Sequence, residues 1–343
     1  MVRKKQIAAR LLAPLGVLKM MQRLRSDVFA QLPILTYHRV LSWNTIQDFP
    51  FDERLISASV SEFEEQMRYV AENYSAITFN QLVEWMDGHA PLPRKPIMIT
   101  FDDGYDDLYL NTFPILKKYE LKATVFVATG LIGGSETYWN DFVAYVVKYV
   151  DCERLRINCI GYDKRISNDQ GVRTHVLTDL IEKLKELPDQ HRLRAIDEIR
   201  GKYGAVYENS PEIEKSKSRM CNWGQCEEMS KFGIDFGSQS VTHPILTKLE
   251  PDQLQAELTI SRETIIDRLG IPVTAIAYPN GQRPDYDESV VEACRNAGYR
   301  LAATFHGGTN SLRRLSHFRL NRINVEPRND FRMLPFTLAF PTS

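Results

Sequence analysis

The chain has 343 residues, of which 43% are hydrophobic and 25% charged, a composition that suits a globular protein with one large core. Its 43 lysines and arginines almost balance its 44 acidic residues, which excludes a general electrostatic attraction to nucleic acid. The cysteines show no Cys-x-x-Cys spacing for a zinc site; we expect reduced, mostly buried thiols and a cytoplasmic protein, with export left open. They are Cys152, Cys159, Cys221, Cys226 and Cys294.

Residues 1–30 are predicted to form a basic, amphipathic segment ahead of the main domain. Seven cations precede the first acid, Asp27, and the apolar residues among them lie mostly on one side of a helix. The apolar run is too short to span a bilayer, and no Ala-x-Ala-like cleavage site follows it. Two interpretations remain open. Residues 1–25 lie on the inner membrane face as a peripheral contact, or, as we favour, the helix packs across the open side of a barrel.

Strands and helices alternate through the rest of the chain, residues 31–343. The predicted strands are 34–38, 96–103, 123–128, 234–238, 275–278, 301–305 and 322–325. The predicted helices are 61–73, with a capping box from Ser61 to Glu64, then 80–86, 107–119, 251–269 and 285–297. Residues 142–218 have helical rather than strand periodicity and are predicted to be a helical insertion. The alternation indicates a parallel α/β barrel or open sheet.

Asp102 and Asp103 end the apolar strand 96–101 and are followed directly by Gly104. The carboxyl end of a parallel strand is where α/β proteins bind ligands. Two adjacent carboxylates repel each other unless a cation or a shared proton compensates them. The pair therefore indicates either an ordinary Asp-Gly turn or a site with one acid on a metal and the other handling protons.

His243 lies among small hydroxyl residues just after another predicted strand end, at 234–238. An imidazole together with a carboxylate and an open position is the ligand set of a hydrolytic metal site. A lone histidine is more often a hydrogen-bonded structural residue, so the metal interpretation depends on His243 and Asp103 converging.

Three motifs give the chain a specific resemblance. It resembles the polysaccharide deacetylases with a NodB-homology domain, carbohydrate esterase family 4, and in its third motif the exopolysaccharide-type branch. The motifs are TFDDGY at 100–105, GSQSVTHP at 237–244 and AYPNG at 277–281. Weaker matches are LTYHRV at 35–40, ATVFV at 123–127 and LNRINV at 320–325.

The resemblance implies a distorted, incomplete (β/α)7 barrel with the helical insertion. It also implies one divalent metal ion held by Asp103, His243 and Gln239, with Asp102 as the general base. Gln239 stands where the family usually has a histidine. Because an amide oxygen is a weaker ligand for zinc than imidazole, zinc is expected but another transition metal becomes competitive. Arg322 is expected to support Asp102, since Ala277 replaces the arginine of the third motif.

The general acid is the least defined role. His306 and His317 lie in a loop-like region, and neither matches the late histidine motif of many relatives. His38, at the end of the first strand, is the better candidate, with a structural role as the alternative.

Four residues are predicted to contact the glycan. Tyr105 and Trp139 are candidate apolar platforms for sugar rings, although an aromatic residue is more often part of a core. Tyr278 and Asn280 belong to the third-motif turn, where a main-chain N–H near Asn280 is expected to stabilise an oxyanion.

The predicted function is a metal-dependent hydrolase that removes N-acetyl groups from a polysaccharide or lipid-linked glycan containing N-acetylhexosamine. Two alternatives remain: a deacylase or deformylase of another sugar amide, and a catalytically impaired relative that binds glycan. The expected partner is the glycan, not nucleic acid.

Overall fold

The computed structural model describes residues 16–327 and 333–341. Its strands, in chain order, are β1 Gln31–Leu32, β2 Ile34–Tyr37, β3 Arg39–Leu41, β4 Ile56–Ser59, β5 Ser75–Ile77, β6 Pro96–Phe101, β7 Thr124–Val127, β8 Arg154–Ile157, β9 Tyr162–Arg165, β10 Asp235–Ser238, β11 Ala275–Ala277, β12 Leu301–Ala303, β13 Asn310–Ser311 and β14 Ile323–Asn324.

The α-helices lie mostly between these strands. They are α1 Val17–Arg23, α2 Trp43–Gln47, α3 Val60–Asn73, α4 Phe79–Met86, α5 Phe113–Lys118, α6 Trp139–Tyr149, α7 Gln170–Glu186, α8 Asp189–Tyr203, α9 Ala205–Glu208, α10 Glu212–Ser216, α11 Trp223–Lys231, α12 Pro251–Leu269, α13 Glu288–Asn296 and α14 Met333–Ala339.

A curled, all-parallel sheet forms the body of the molecule. Its strand order is β12-β11-β10-β7-β6-β2-β14, and β5 pairs with the first half of β6. Ala303 at the end of β12 also makes a parallel bridge to Leu320, just before β14. That single bridge joins the two edges of the curled sheet at one point without closing them along their length. The prediction of an incomplete seven-stranded barrel is therefore confirmed.

The two faces of the sheet carry separate apolar clusters because side chains alternate along each strand. Leu35, Ile99 and Val125 pack outward against the helices. Met98 and Phe126 belong to the other cluster, on the concave face, which Phe79, Leu82 and Val83 of α4 also join. The concave face is thus filled largely with apolar side chains, and the polar residues of the cleft described below lie where the strands end.

The insertion after β7 has an apolar core of its own. Its buried members come from α6, β8, β9, α7 and α8, and include Val143, Val147, Leu155, Ile157, Leu180, Leu184 and Ile199. The purely helical prediction for 142–218 is wrong in one respect, because β8 and β9 form an antiparallel hairpin. Two features are typical of this hairpin. Residues Arg154–Ile157 are alternately exposed and buried, as in a half-buried strand, and Gly161 in the turn has the left-handed conformation.

Helix starts differ slightly from those predicted. The capping box of α3 runs from Ser59 to Glu62, two residues before the predicted pair of the same type. Helix α4 begins one residue after Thr78, which forms a capping box with Gln81, so Asn80 is not the cap. A π-helical segment, Leu108–Thr112, occupies the first part of the predicted helix 107–119.

Helix α1 packs at the amino-terminal end of the barrel strands. The Gln22 side chain accepts a hydrogen bond from Tyr69 of α3 and donates one to the Pro335 carbonyl, both 2.7 Å long. Arg25 donates to the Ala339 carbonyl over 2.8 Å, so α14 covers α1 as well. Residues 1–15 of the predicted basic segment lie outside the described residues. In the remainder, no helix combines the length and the apolar character needed to cross a membrane.

Candidate active site

A cleft of about 810 Å³ opens at the carboxyl ends of the barrel strands. One wall comes from strand-end residues that include Asp102, Gln239 and Asn280. Trp139, the first residue of α6, and Arg192 of α8 in the insertion also line the cleft. Every group predicted to act in catalysis or metal binding lines this cleft.

Asp102 is fixed by a bidentate ion pair with Arg322. The two guanidinium nitrogens lie 2.7 and 2.8 Å from the two carboxylate oxygens, and both side chains are buried. Arg322 in turn donates to the carbonyl of Thr304 over 2.8 Å, which holds the guanidinium in its plane. A planar fork of this kind fixes the orientation of the carboxylate and places a positive charge against it. The last strand thus places a cation beside Asp102, as expected from the loss of the arginine at position 277.

His38 follows β2 and lies on the other side of Asp102. Its Nε2 is 3.7 Å from Asp102 Oδ2, and its ring meets Phe305 edge to face. Burial lowers the pKa of His38, an effect that Asp102 opposes and the nearby arginines reinforce. The imidazole is therefore neutral near pH 7 and close enough to exchange a proton with Asp102 after a small movement.

Asp103 points away from this pair and toward His243. His243 Nε2 lies 3.6 Å from Asp103 Oδ1, and the nitrogen is buried with no hydrogen-bond partner in the described chain. Burial, together with the charges of Asp102 and Asp141, raises the pKa of the Asp103 carboxyl well above its usual range. Burial also lowers the pKa of His243 to about 3. A neutral imidazole and a carboxyl group that lacks a cation thus face each other across a short gap.

Gln239 is oriented by a main-chain contact. Its Oε1 accepts a hydrogen bond of 2.8 Å from the N–H of Asp103, and the side chain is buried. The amide oxygen predicted to bind a metal is therefore already engaged, although a carbonyl oxygen has a second lone pair. The contact gives Gln239 a second role, because it holds the backbone of the neighbouring acid.

The donor set fits a divalent cation. An unpartnered, neutral His243 nitrogen beside the Asp103 carboxylate is what a metal ion requires, since it binds deprotonated ligands. Among the described residues no cluster of three His, Cys, Asp or Glu side chains surrounds one point. A third protein ligand would therefore be Gln239, or water would take its place.

Several backbone conformations at the cleft are unusual. Asp103, Ser240, His243 and Asn280 all have positive φ angles, between 60° and 74°. Non-glycine residues seldom adopt this region, and such strain concentrates at functional sites. The fold therefore holds these residues against their local preference, which fixes the directions of their side chains.

The loop that carries His243 is held by residues the sequence did not single out. Ser240 Oγ accepts a hydrogen bond from the N–H of His243 over 3.0 Å. The Glu257 carboxylate, on α12, accepts hydrogen bonds from the N–H groups of Val241 and Thr242. Glu257 lies four residues before Ser261, whose hydroxyl is hydrogen-bonded to that of Ser238 in β10. Residues four apart share one face of a helix, so this spacing weakly indicates that Glu257 also faces the end of β10.

Tyr138 is the most important residue that sequence reasoning missed. Its hydroxyl donates to the Asp103 carbonyl over 2.8 Å, and its ring packs edge to face on His243, with centroids 5.1 Å apart. It is buried immediately before α6, so the segment that leads into the insertion contacts both candidate metal ligands. Trp139, its neighbour, drew attention as an aromatic residue, and nothing in the sequence distinguished Tyr138.

The two predicted aromatic platforms have different positions. Trp139 is half-buried on the cleft wall, and the Arg192 guanidinium lies 5.2 Å from its ring centroid. Tyr105 does not reach the cleft: it is 1% exposed, its hydroxyl donates to Asp141, and its ring stacks under Arg39. Tyr105 thus packs beneath the site and is not in a position to contact a sugar.

The third-motif turn reaches the cleft through Asn280 more than through Tyr278. Tyr278 is 1% exposed, stacks on Tyr286 and donates its hydroxyl to the carbonyl of Phe318, so only an edge borders the cleft. The Asn280 side chain donates to Asp285. Its main-chain N–H makes no hydrogen bond within the described part of the chain, which leaves it available to a ligand.

The remaining histidines are away from the cleft lining. His306 has a buried Nε2 without a partner among the described residues and lies against Tyr286, while His317 is exposed on the surface. Neither borders the cleft, so of the three histidines considered for the general acid only His38 lines it, 3.7 Å from Asp102.

Comparison with known proteins agrees with this geometry. The family model described as polysaccharide deacetylase matches residues 89–150 and 190–302, which together make up half of the chain. A Bacillus subtilis protein named as a polysaccharide deacetylase, YxkH, is 24% identical over 305 residues, which are 89% of this chain and 75% of that protein. The poly-beta-1,6-N-acetyl-D-glucosamine N-deacetylase of Escherichia coli K12 is 37% identical over 84 residues, 24% of this chain but only 12% of that enzyme.

Solved structures show the same fold. The Streptococcus pyogenes deacetylase PplD, solved in complex with acetate, aligns with a TM-score of 0.58 and 22% identity over 90% of this chain and 98% of that one. The segments matched by the family model contain the two acids, the glutamine and the histidine of the cleft. The chain therefore belongs to the polysaccharide deacetylase family, whose members are hydrolases acting on carbon–nitrogen bonds of carbohydrates.

Proposed function

We propose that the protein is a metal-dependent N-deacetylase of a glycan that contains N-acetylhexosamine. One observation carries the proposal: the adjacent acids Asp102 and Asp103 face different partners. Asp102 is paired with Arg322 and borders His38, whereas Asp103 faces the unpartnered nitrogen of His243. This is the division expected of a proton-handling acid beside a metal-ligating acid.

Asp103 and His243 would hold a divalent cation, with Gln239 as a third ligand. When bound, such an ion lowers the pKa of a water molecule and polarises a carbonyl group. Zinc is our first expectation, and another transition metal is the alternative because of Gln239.

The chain's own groups account for the proton transfers. Asp102, oriented by Arg322, accepts the proton of the attacking water as its oxygen bonds to the acetyl carbon. The main-chain N–H of Asn280 stabilises the negative charge that develops on the carbonyl oxygen. As the carbon–nitrogen bond breaks, the sugar nitrogen must gain a proton. His38, neutral at rest, can receive the proton taken by Asp102 and deliver it, leaving acetate and a free amine.

The relatives support a polymeric substrate. One of them is named for poly-beta-1,6-N-acetyl-D-glucosamine, and a cleft of about 810 Å³ lined by Trp139 and Arg192 has room for more than one sugar unit. A lipid-linked glycan intermediate and another acylated sugar amide remain the alternative substrates.

Acetate release together with metal analysis tests the proposal. Protein purified without chelators should contain a divalent metal and release acetate from oligomers of beta-1,6-linked N-acetylglucosamine. Asp102→Asn should lower that rate by about 10²–10⁴-fold while the metal remains bound. The matched control, Asp163→Asn, changes an exposed acid on the insertion hairpin and should leave the rate unchanged.

A glycan-binding protein without activity would give a different result. It would bind the oligomers with no metal and no acetate release, and Asp102→Asn would change nothing. Release of formate or another acid in place of acetate would show that the protein is a hydrolase of a different acyl group.

Gln239 variants test the third ligand separately. Gln239→His should raise zinc affinity if position 239 faces the ion. Gln239→Ala should lower the metal content and also loosen Asp103, whose N–H loses its acceptor. If Gln239→Ala changes neither the metal content nor the activity, Gln239 is not a metal ligand.

A further inference from the structure

An exposed apolar stripe lies on the helical segment that precedes the barrel. Met20, Leu24, Val28 and Phe29 are 55%, 37%, 50% and 56% exposed, respectively. The first three are spaced four residues apart on α1 and the π-helical turn that continues it, so they share one face. Other exposed apolar side chains in the described chain, such as Leu110 and Ile260, stand apart from one another in sequence.

Cations border this stripe. Lys19 and Arg23 line the same shallow groove as Met20, Leu24 and Val28. Arg23 also borders a second groove of about 610 Å³, which has Arg94 and Lys95 on its rim and one acid, Glu72. On the other side of the stripe, Arg313 donates a hydrogen bond of 2.9 Å to the carbonyl of Val28.

The stripe and the two grooves lie at the amino-terminal ends of the barrel strands. Lys95 immediately precedes β6, Ser75 begins β5, and Ala30 precedes β1 and β2. The cleft lies at the carboxyl ends of the same strands. The apolar stripe is therefore at the opposite end of the barrel from the catalytic groups.

From this arrangement we infer that the surface formed by Met20, Leu24, Val28 and Phe29, with Lys19 and Arg23, docks on an anionic membrane. The apolar residues enter the boundary between lipid headgroups and acyl chains, and the cations meet the phosphates. The complementary charge of a phospholipid surface selects this partner over an uncharged apolar one. The proposal is independent of the chemistry in the cleft, which it leaves facing away from the bilayer.

Vesicle co-sedimentation of the full chain tests the docking surface. The wild-type protein should bind vesicles of phosphatidylglycerol and phosphatidylcholine and bind phosphatidylcholine alone much more weakly. Exchanging both Lys19 and Arg23 for Gln should lower the partition coefficient about 30-fold at low salt, and much less at high salt. The double change Leu24→Ser with Phe29→Ser should lower it at least about tenfold, because it removes apolar surface from the contact.

The matched control is Leu110→Ser with Ile260→Ser, which removes apolar side chains that are 59% and 52% exposed elsewhere and should leave vesicle binding unchanged. Acetate release from a soluble oligomer by each variant, at the wild-type rate, shows that the variants fold and separates this proposal from the proposed enzyme function. Absence of binding by the wild type, or binding equal in the stripe variants and the control, overturns the proposal. So does concentration-dependent self-association, abolished by the stripe variants, in place of vesicle binding.

Discussion

Neighbouring acids in one turn have different surroundings because the backbone rotates between them. Asp103 has a φ of 74° and the following Gly104 a φ of 81°. A Cβ at Gly104 would lie 3.0 Å from Val127 and Ile132, so the turn needs glycine for space as well as for conformation. The reversal directs Asp102 to the cation on the last strand and Asp103 to the histidine loop.

The Arg322–Asp102 pair should be far more important for stability than a similar pair at the surface. Arg322→Gln leaves a buried carboxylate without its cation, which we expect to lower the free energy of unfolding by about 3–5 kcal/mol. The matched control is Arg300→Gln, which breaks a solvent-screened pair with Asp87 and should cost far less. Denaturant unfolding of both variants measures the difference, and equal losses would contradict the structural role of Arg322.

Tyr138 should act on metal binding as well as on stability. Tyr138→Phe removes only the hydroxyl that donates to Asp103, and we expect it to weaken metal affinity about tenfold, as supporting contacts to ligands do. Tyr162→Phe is the matched control, because that hydroxyl also donates to a buried carbonyl, at Val176, within the insertion. Calorimetric titration with metal measures the affinity of each variant. Equal metal affinities for Tyr138→Phe and Tyr162→Phe would show that Tyr138 is only a packing residue.

At the residue scale, the sequence predicted identities better than contacts. The motif acids, His243 and His38 can be proposed from the sequence because their positions after predicted strand ends are visible in the chain. The hydrogen bond from Asp103 to Gln239 joins residues that are 136 positions apart in the chain. The burial of Tyr105 depends on Asp141, which is 36 positions away. No local pattern encodes such meetings.

At the scale of elements, a buried polar network joins the insertion to the first motif. Asp141 of α6 is fully buried and accepts the Tyr105 hydroxyl at 2.8 Å. Beside it, Arg39 pairs with Asp107 over 2.7 Å and stacks on the Tyr105 ring. Both Asp141 Oδ1 and Arg39 Nη1 are buried without a partner in the described residues.

The network should give the fold a measurable pH dependence. Burial raises the pKa of Asp141 to about 6, an effect that Arg39 and Tyr105 only partly offset. The folded protein therefore binds this proton more tightly than the unfolded chain. The resulting stabilisation is complete below about pH 4 and is lost as the pH rises to about 6, a change of about 3 kcal/mol.

Comparison with Asp141→Asn isolates this effect, because an amide does not titrate. The unfolding free energy of the wild type, relative to that variant, should fall by about 2–2.5 kcal/mol between pH 4 and pH 7, the rest of the change lying below pH 4. Asp163→Asn provides the control, since the pKa of that exposed acid is lowered by Arg154 and its small effect has the opposite sign. A difference between wild type and Asp141→Asn that stays constant with pH would contradict the assignment.

Elements with strong local signals were predicted well, and those with competing signals were not. The buried strand 96–101 and the helix with Pro251 at its first turn were found at the right places. Ser59 and Ser61 both begin a Ser-x-x-Glu pattern, so the sequence alone does not decide between them. The hairpin β8–β9 was hidden because its short alternation stands among long helical segments.

At the scale of the whole molecule, a cation in the cleft would join strands that are not neighbours. Asp103 follows β6 and His243 follows β10, with β7 between them. Metal at about a hundred times its dissociation constant should add about 2.7 kcal/mol of stability and raise the melting temperature by about 4 °C. Calorimetry with and without zinc measures the shift. Asp103→Asn should abolish it, and a shift that persists in this variant would place the ion elsewhere.

The opposite placement of the cleft and the apolar stripe bears on the substrate. A protein docked through the stripe would hold its cleft away from the bilayer. A polymer that extends from the membrane would reach such a cleft more easily than a short glycan attached to a lipid headgroup. Vesicle binding would thus favour the polysaccharide among the proposed substrates.

The pairing of Asp102 with Arg322 across 220 residues also has a consequence for synthesis. A ribosome adding about 5–20 residues per second makes Asp102 about 11–44 seconds before Arg322. Throughout that interval the nascent barrel lacks the guanidinium that compensates its central carboxylate. The catalytic end of the barrel can therefore close only after the last strand has emerged, so a ribosome-bound chain short of Arg322 carries the motif acids without a working enzyme.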